Sequence, residues 1–352
     1  MSRSSGFLSR RRALAVALTA VAAVGLTACG GGSSDSTSGK SDNAGGGTTS
    51  NLTLVAYSAP KPGFDKVIPA FNKTDAGKGV AVQASYGASG DQSRKVKDGT
   101  PADVVNFSVE PDITRLVDAG LVDSSWNADA NKGVPINSVV VIAVRKGNPK
   151  GIHDWDDLLK PGVEVVTPSP FSSGSAKWNL LAPYGAKSEG GKNPQAGLDY
   201  LSKLVTKEHV KVQPTSGREA TETFLQGTGD VLLSYENEAL FAERNGDQLE
   251  HIIPPITLKI ENPVAVLKNA KNPDKAVAFR DFLYSSDGQT ALATAGFRPV
   301  DPKVAANFTK DFPAPSQKLW TIADLGGWKQ LDKDLFTQGT GSVAQIYDKA
   351  TK

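Results

Sequence analysis

Apolar and polar positions fall into blocks that alternate between strand-like and helix-like patterns. Leu52 to Tyr57 is an apolar run that predicts a strand. Phe64 to Phe71 predicts a helix, Val80 to Ser85 a strand, and Ser89 to Lys97 a helix. A short strand at Asp103 to Asn106 and a helix at Pro111 to Ala119 follow. Val139 to Val144 is continuously apolar, as expected of a central strand in a parallel sheet. Trp155 to Leu159 reads as a short helix, Val163 to Val166 as a buried strand, and the stretch from Ser172 through Tyr184 as a helix. Val210 to Val212, Val231 to Ser234 and Val264 to Leu267 predict strands; Asn237 to Arg244, Pro273 to Tyr284 and Asp287 to Ala295 predict helices. Past Pro302 the chain is a polar tail. The alternation predicts an α/β fold with parallel sheets.

Within this pattern one device recurs. Three strands run into a Ser-Gly pair that opens a helix: Ser89-Gly90, Ser173-Gly174 and Ser216-Gly217. Ser89 and Gln92, like Ser216 and Glu219, have capping-box spacing. A helix start exposes backbone N–H groups that no helical carbonyl reaches, and the dipole there favours an anion. Each serine also has an ordinary reading as a helix cap. Three such openings converging on one point would make a site of neutral donors.

The start of the chain has a different character. Arg10-Arg11-Arg12 precedes an apolar run, Ala13 to Leu26, too short to span a bilayer comfortably. Leu26-Thr27-Ala28-Cys29 resembles a bacterial lipobox, so residues 1–28 read as a leader and Cys29 as a lipidation site. Residues 29–50 follow as a Gly/Ser-rich tether that cannot bury a core. About 21 such residues have a root-mean-square reach of roughly 25 Å. The chain's formal charge is +2, and the leader carries four arginines and no acid, leaving the remainder at −2. That balance gives no basic patch for nucleic acid. Cys29 is the only cysteine, so no disulfide forms within a monomer.

The inventory of reactive side chains is thin. His153, His209 and His251 lie in unrelated segments, and no Cys/His cluster suggests a metal. Gly87-Ala88-Ser89-Gly90 lacks the spacing of a nucleophile elbow, and Gly227-Thr228-Gly229 lacks the third glycine of a dinucleotide fingerprint. Asp156-Asp157 reads as a solvated helix start. Nothing asks for an enzyme, a cofactor or a metal.

Longer motifs, in order, carry a resemblance. They include Val144-Arg145-Lys146-Gly147-Asn148-Pro149-Lys150, Ile152-His153-Asp154-Trp155-Asp156-Asp157-Leu158 and Pro161 through Asn179. Glu236-Asn237-Glu238-Ala239-Leu240, Phe297-Arg298-Pro299 and Gly326-Gly327-Trp328 continue the series. From about Leu52 to Tyr347 the chain resembles the sulfate-binding proteins that serve ABC importers. The resemblance implies a two-lobe periplasmic-binding-protein type II fold with two crossing hinge strands and a ligand cleft between the lobes. Residues 51–135 would begin lobe I, 136–257 would form lobe II, and 258–352 would return to lobe I with C-terminal helices. The crossings would fall near Ile136 to Val140 and Ile256 to Val264. It further implies a monomeric receptor, outside the cytoplasm and tethered through its lipid, that hands its anion to permease subunits.

The family binds its dianion with main-chain N–H groups and a few neutral side chains. By that resemblance the ligand-binding residues are Ser58, Ser89, Gly90, Ser173, Gly174, Ser175, Gly217, Arg218 and Tyr235. Ser175 stands where the family has a second glycine, Ser58 where it has a carboxylate, and Tyr235 where it has tryptophan. Gly217 and Arg218 share one role, because the helix start is a residue shorter here. Tyr235 is either a ligand contact or core, Tyr57 lines the cleft or packs on the hinge, and Trp178 reads as core. Sulfate or thiosulfate is the ligand the resemblance implies; another tetrahedral oxyanion, molybdate or phosphate, is the alternative, and a lipid-anchored hydrolase is a second. Sulfate is favoured because it only accepts hydrogen bonds. A protonated phosphate in a donor-only pocket leaves a polar group unpaired, at a cost on the order of 1–3 kcal/mol. A phenol can donate or accept, so Tyr235 predicts weaker rejection of protonated oxyanions than an indole would give.

Overall fold

The computed structural model describes residues 50–206 and 208–350. The leader, Cys29 and the tether up to residue 49 lie outside the described residues. The first passage is three strand–helix units: β1 (Ser50–Tyr57), α1 (Lys61–Phe71), β2 (Val80–Gly87), α2 (Ser89–Lys97), β3 (Val104–Asn106) and α3 (Glu110–Asp118). β1 pairs in parallel with β2 on one side and β3 on the other. Its apolar run is continuous because both faces are covered. Leu52, Leu54 and Ala56 join one cluster with Phe64, Val67 and Phe279, while Val55 joins another with Val96, Ile113 and Leu116.

The chain then leaves along β4 (Ile136–Arg145) and builds a second sheet. A 3-10 turn, Trp155–Leu159, precedes β5 (Val165–Val166), α4 (Gly174–Lys187), α5 (Pro194–Leu204), β6 (Val210–Val212), α6 (Gly217–Leu225), β7 (Val231–Tyr235), α7 (Glu236–Arg244), β8 (Leu249–Ile252) and β9 (Ile256–Asn262). β10 (Val264–Val266) re-enters the first sheet antiparallel to β3, which gives the order β10-β3-β1-β2. Helices α8 (Pro273–Phe282) and α9 (Ser286–Thr294) cover that sheet through Ala276, Phe279 and Leu292, and a single turn, α10 (Pro302–Ala305), follows. β11 (Lys318–Trp320), α11 (Trp328–Leu331) and α12 (Ser342–Ala350) end the chain.

The second sheet has seven strands in the order β11-β9-β4-β7-β5-β6, with β8 also on β4. β4 is its spine. Val139, Val141 and Ala143 enter one core, and Val140, Ile142 and Val144 enter the other. Burial on both faces explains the apolar run, but the strand is antiparallel to each of β7, β8 and β9. The parallel expectation for Val139 to Val144 is therefore corrected; two-sided burial fixes an apolar run, not a direction.

The two sheets are joined by β4 and β9, paired with each other from Ile136↔Asn262 to Val139↔Lys259. Pro263 ends β9 and its carbonyl accepts a hydrogen bond from Asn106 Nδ2 at 2.9 Å, which seats the crossing on β3. Residues 258–352, expected to return to lobe I and to end in C-terminal helices, pack on both sheets. β10 through α9 pack on the four-stranded sheet, whereas β11 pairs with β9, and Trp328, Leu331, Val343 and Tyr347 enter the core of the seven-stranded sheet. The polar tail expected past Pro302 thus contains buried residues at helical spacing. Helix α5, absent from the sequence reading, starts at Asn193, whose side chain accepts from Ala196 N, and buries Tyr200, Leu201 and Leu204.

Candidate functional site

Helices α2, α4 and α6 each start at a Ser-Gly pair, and the structure brings their starts together. Gly90 N donates to Ser172 O at 3.1 Å, from α2 to the turn that opens α4. A Cβ added at Gly217 would lie 3.0 Å from Ser175 Oγ, which puts α6 against α4. The serines play three different parts. Ser216 is an ordinary cap, its side chain accepting from Glu219 N at 3.2 Å. Ser173 is also the N-cap residue, yet its side chain makes no cap hydrogen bond and the residue is 3 % exposed. Ser89 is not a cap. The cap is Ala88, and Ser89 Oγ instead donates to Asp112 Oδ2 at 2.6 Å and accepts from Ser108 N at 2.9 Å. The capping-box reading of Ser89 and Gln92 is corrected on that ground.

Below these helix starts runs a hydrogen-bonded network that the sequence reading did not contain. Tyr57 Oη donates to Asn262 Oδ1 at 2.8 Å, and Asn262 Nδ2 donates to Ser108 O at 2.9 Å. Trp178 Nε1 donates to the same carbonyl at 2.8 Å. Ser108 Oγ and Tyr235 Oη share a hydrogen bond of 2.7 Å. Tyr57 thus packs on the hinge strand β9. Trp178 is buried edge-on against Trp328, as a core residue, while its N–H ties α4 to the loop after β3. Burial raises the pKa of both Tyr57 and Tyr235 well above the ordinary phenol, so both hydroxyls keep their protons.

The charged neighbours are occupied. Arg218 Nη2 donates to Glu238 Oε1 at 2.8 Å, and its guanidinium lies 5.0 Å from the centre of the Phe241 ring. The Arg218 side chain therefore turns into α7, and what α6 offers at its start is the backbone N–H of Gly217 and Arg218. Burial raises the Glu238 pKa, while Arg218 and Thr221 pull it down. Asp112 is held by Ser89 and by Arg115 Nη1, the latter at 2.8 Å. Ser58 lies just past β1, half-buried, its carbonyl accepting from Lys61 N at the start of α1. Ser175, one residue into α4, is buried beside Gly217. Ser108, Asp112, Asn262 and Glu238 are the residues sequence reasoning missed. Ser108 had a signal: it is a fourth serine just past a buried strand and just before a helix. Among the described residues no cluster of His, Cys, Asp or Glu could hold a metal ion.

Two α/β lobes joined by paired crossing strands, with helix starts from both lobes meeting between them, define a type II solute receptor. The chain belongs to the family of bacterial extracellular solute-binding proteins, whose model matches residues 52–298. It is 38% identical over 336 residues to a sulfate-binding protein of Synechococcus elongatus, covering 92% of each chain. It is 35% identical over 309 residues to a thiosulfate-binding protein of Pseudomonas aeruginosa, covering 84% of this chain and 92% of the relative. Among solved structures, the sulfate-binding protein SubI from Mycobacterium tuberculosis H37Rv is 62% identical and superposes with a TM-score of 0.80 over 82% of this chain and all of that one. Family membership places the protein outside the cytoplasm.

Proposed function

We propose that the protein binds sulfate where the starts of α2, α4 and α6 meet, and delivers it to an ABC-type importer. The observation that carries this reading is the donor character of the junction. Three helix starts contribute N–H groups, Ser173 brings a hydroxyl with no capping duty, and Tyr235 keeps its proton. The nearby carboxylates, Asp112 and Glu238, are already taken by Ser89, Arg115, Arg218 and Thr221. Such a site suits a dianion that only accepts, since charge-assisted hydrogen bonds offset its dehydration. The names of the relatives support the same anion. The contacts are the N–H groups of Ser58, Ser89, Gly174, Ser175 and Gly217 or Arg218, with the side chains of Ser173 and Tyr235; Gly90, whose own N–H is taken by Ser172 O, shapes the turn beside them.

Lobe I carries the first half of the junction and lobe II the second, hinged where β4 and β9 pair. The protein works as a monomer held to the outer face of the membrane by lipid on Cys29, with residues 1–28 removed. Calorimetric titration with sulfate, thiosulfate, molybdate and phosphate in parallel tests the assignment. Saturable binding of sulfate at one site, with molybdate and phosphate weaker, is expected. A preference for molybdate or phosphate would overturn it.

A further inference from the structure

We infer that Asp112 is a positioning residue for the anion site: it takes the proton of the Ser89 hydroxyl, so that α2 meets the ligand with its backbone N–H alone. The inference rests on the sulfate reading and names a residue that does not itself touch the ligand.

A hydroxyl oxygen has one proton to give and two lone pairs to fill. At Ser89 Oγ the partners settle which is which. Asp112 is paired with Arg115, and a carboxylate only accepts, so the bond of 2.6 Å to Asp112 Oδ2 takes the proton. A backbone N–H only donates, so Ser108 N at 2.9 Å fills one lone pair. What remains at Ser89 Oγ is the second lone pair, which repels an anion. α3 and the loop that carries Ser108 occupy the two bonded sides, which leaves the third to the junction. Ser89 and Asp112 are both buried, so the pattern is set within the protein.

Asp112 braces the same turn of α2 a second time. Its carbonyl accepts from Ser93 Oγ at 2.6 Å. Arg115 Nη1 donates to Ser93 Oγ at 2.7 Å and to Asp112 Oδ1 at 2.8 Å. Arg115 therefore offsets the charge of a carboxylate near an anion site. It also fixes which atom of residue 112 can face α2, because a guanidinium only donates.

That restriction gives a test with an unusual sign. In Asp112→Asn the amide oxygen must stay with Arg115, so the amide NH₂ faces Ser89 Oγ. Both lone pairs of Ser89 Oγ are then filled, by the new amide and by Ser108 N. Its proton moves to the direction the free lone pair held, and the hydroxyl becomes a donor to the anion. Sulfate titrations compare wild type, Asp112→Asn, Ser89→Ala and the double variant, with thermal unfolding of each unliganded protein. Asp112→Asn should bind sulfate about threefold tighter or more, since a hydrogen bond to a charged acceptor is gained. The gain should vanish when Ser89→Ala is added. A role in folding alone predicts the opposite, weaker binding with a lower melting temperature. An affinity unchanged or lowered in Asp112→Asn would overturn the proposal. So would a gain that survives in the double variant, which would be the lost charge acting by itself. Should Asp112→Asn fail to fold, Ser89→Ala decides. With its proton already committed, Ser89 should lose less sulfate affinity on truncation than Ser173→Ala does, and a larger loss would mean that its hydroxyl meets the anion. Wild-type protein that binds no sulfate would remove the underlying reading instead.

Discussion

Gly174 of α4 presses on Ser108 across the junction: a Cβ added at Gly174 would lie 2.8 Å from both Cβ and Oγ of Ser108 and 3.2 Å from Val109. Glycine is required there by close approach of the two lobes, since its backbone is ordinary helix. Gly174→Ala should force Ser108 or the lobes apart, at about 1–3 kcal/mol if the strain resembles core overpacking. The expected result is weaker sulfate binding with little change in the unliganded melting temperature. Small-angle scattering with saturating sulfate should show a less compact particle than wild type. An unchanged affinity would mean that the contact is not made in the bound form.

Ser173 and Ser216 occupy the same position in their helices and should respond differently. Ser216 satisfies Glu219 N, so Ser216→Ala should cost about 1 kcal/mol of stability. Ser173 has no capping bond to lose, so Ser173→Ala should melt near wild type yet bind sulfate about 1–2 kcal/mol more weakly. Its N–H survives the change, which keeps the loss partial. Parallel melting curves and titrations decide the matter; equal melting losses with equal affinities would refute the contrast.

The buried pair of Glu236 and Arg298 gives a pH prediction. Arg298 Nε and Nη2 donate to the two Glu236 oxygens at 2.6 and 2.7 Å, and Glu236 is fully buried. Burial raises the Glu236 pKa; Arg298 and His251 lower it, and Glu243 raises it. Arg298→Ala leaves the carboxylate buried without its partner, a loss of about 3–5 kcal/mol near neutrality. The penalty has a definite sign. With the folded pKa raised above the unfolded one, stability is greatest below the unfolded value and falls as pH rises toward the folded value. The gap between Arg298→Ala and wild type should therefore narrow on acidification, and Glu236→Gln added to Arg298→Ala should narrow it at neutral pH. Denaturant melts at several pH values would show a constant gap if the pair were unimportant.

Cys29 is predicted to carry the lipid. Cys29→Ser should release the protein from membranes or leave it as uncleaved precursor, read by fractionation and by mass. Membrane retention with normal processing in that variant would reject the anchor.

Legibility from sequence followed the range of the interactions. Leu52 to Tyr57 and Ser89 to Lys97 could be read because strand and helix patterns are local. The direction of β4 could not, since it is set by strands about a hundred residues further on. Ser216 was readable as a cap for the same local reason. Ser89 broke its own local pattern because Asp112, 23 residues away, took the hydroxyl. Ser108 was the hardest, since its meaning comes from Trp178, Tyr235 and Asn262, each distant in sequence. The family motifs located the helix starts; the network beneath them needed coordinates.

β4 carries one more implication. Its residues 136–139 pair with β9 in the crossing, and the next residue, Val140, is registered with Tyr235. Tyr235 therefore stands one rung from the pivot. A point beside an axle scarcely travels when the wheel turns, whereas the rim sweeps a long arc. Ser89 and Gly90 follow β2, the edge strand of the other sheet opposite β10, and Gly90 N reaches across the junction to Ser172 O. If the lobes of the proposed receptor part at this crossing, Tyr235 stays with α4 and α6 on the side of the seven-stranded sheet.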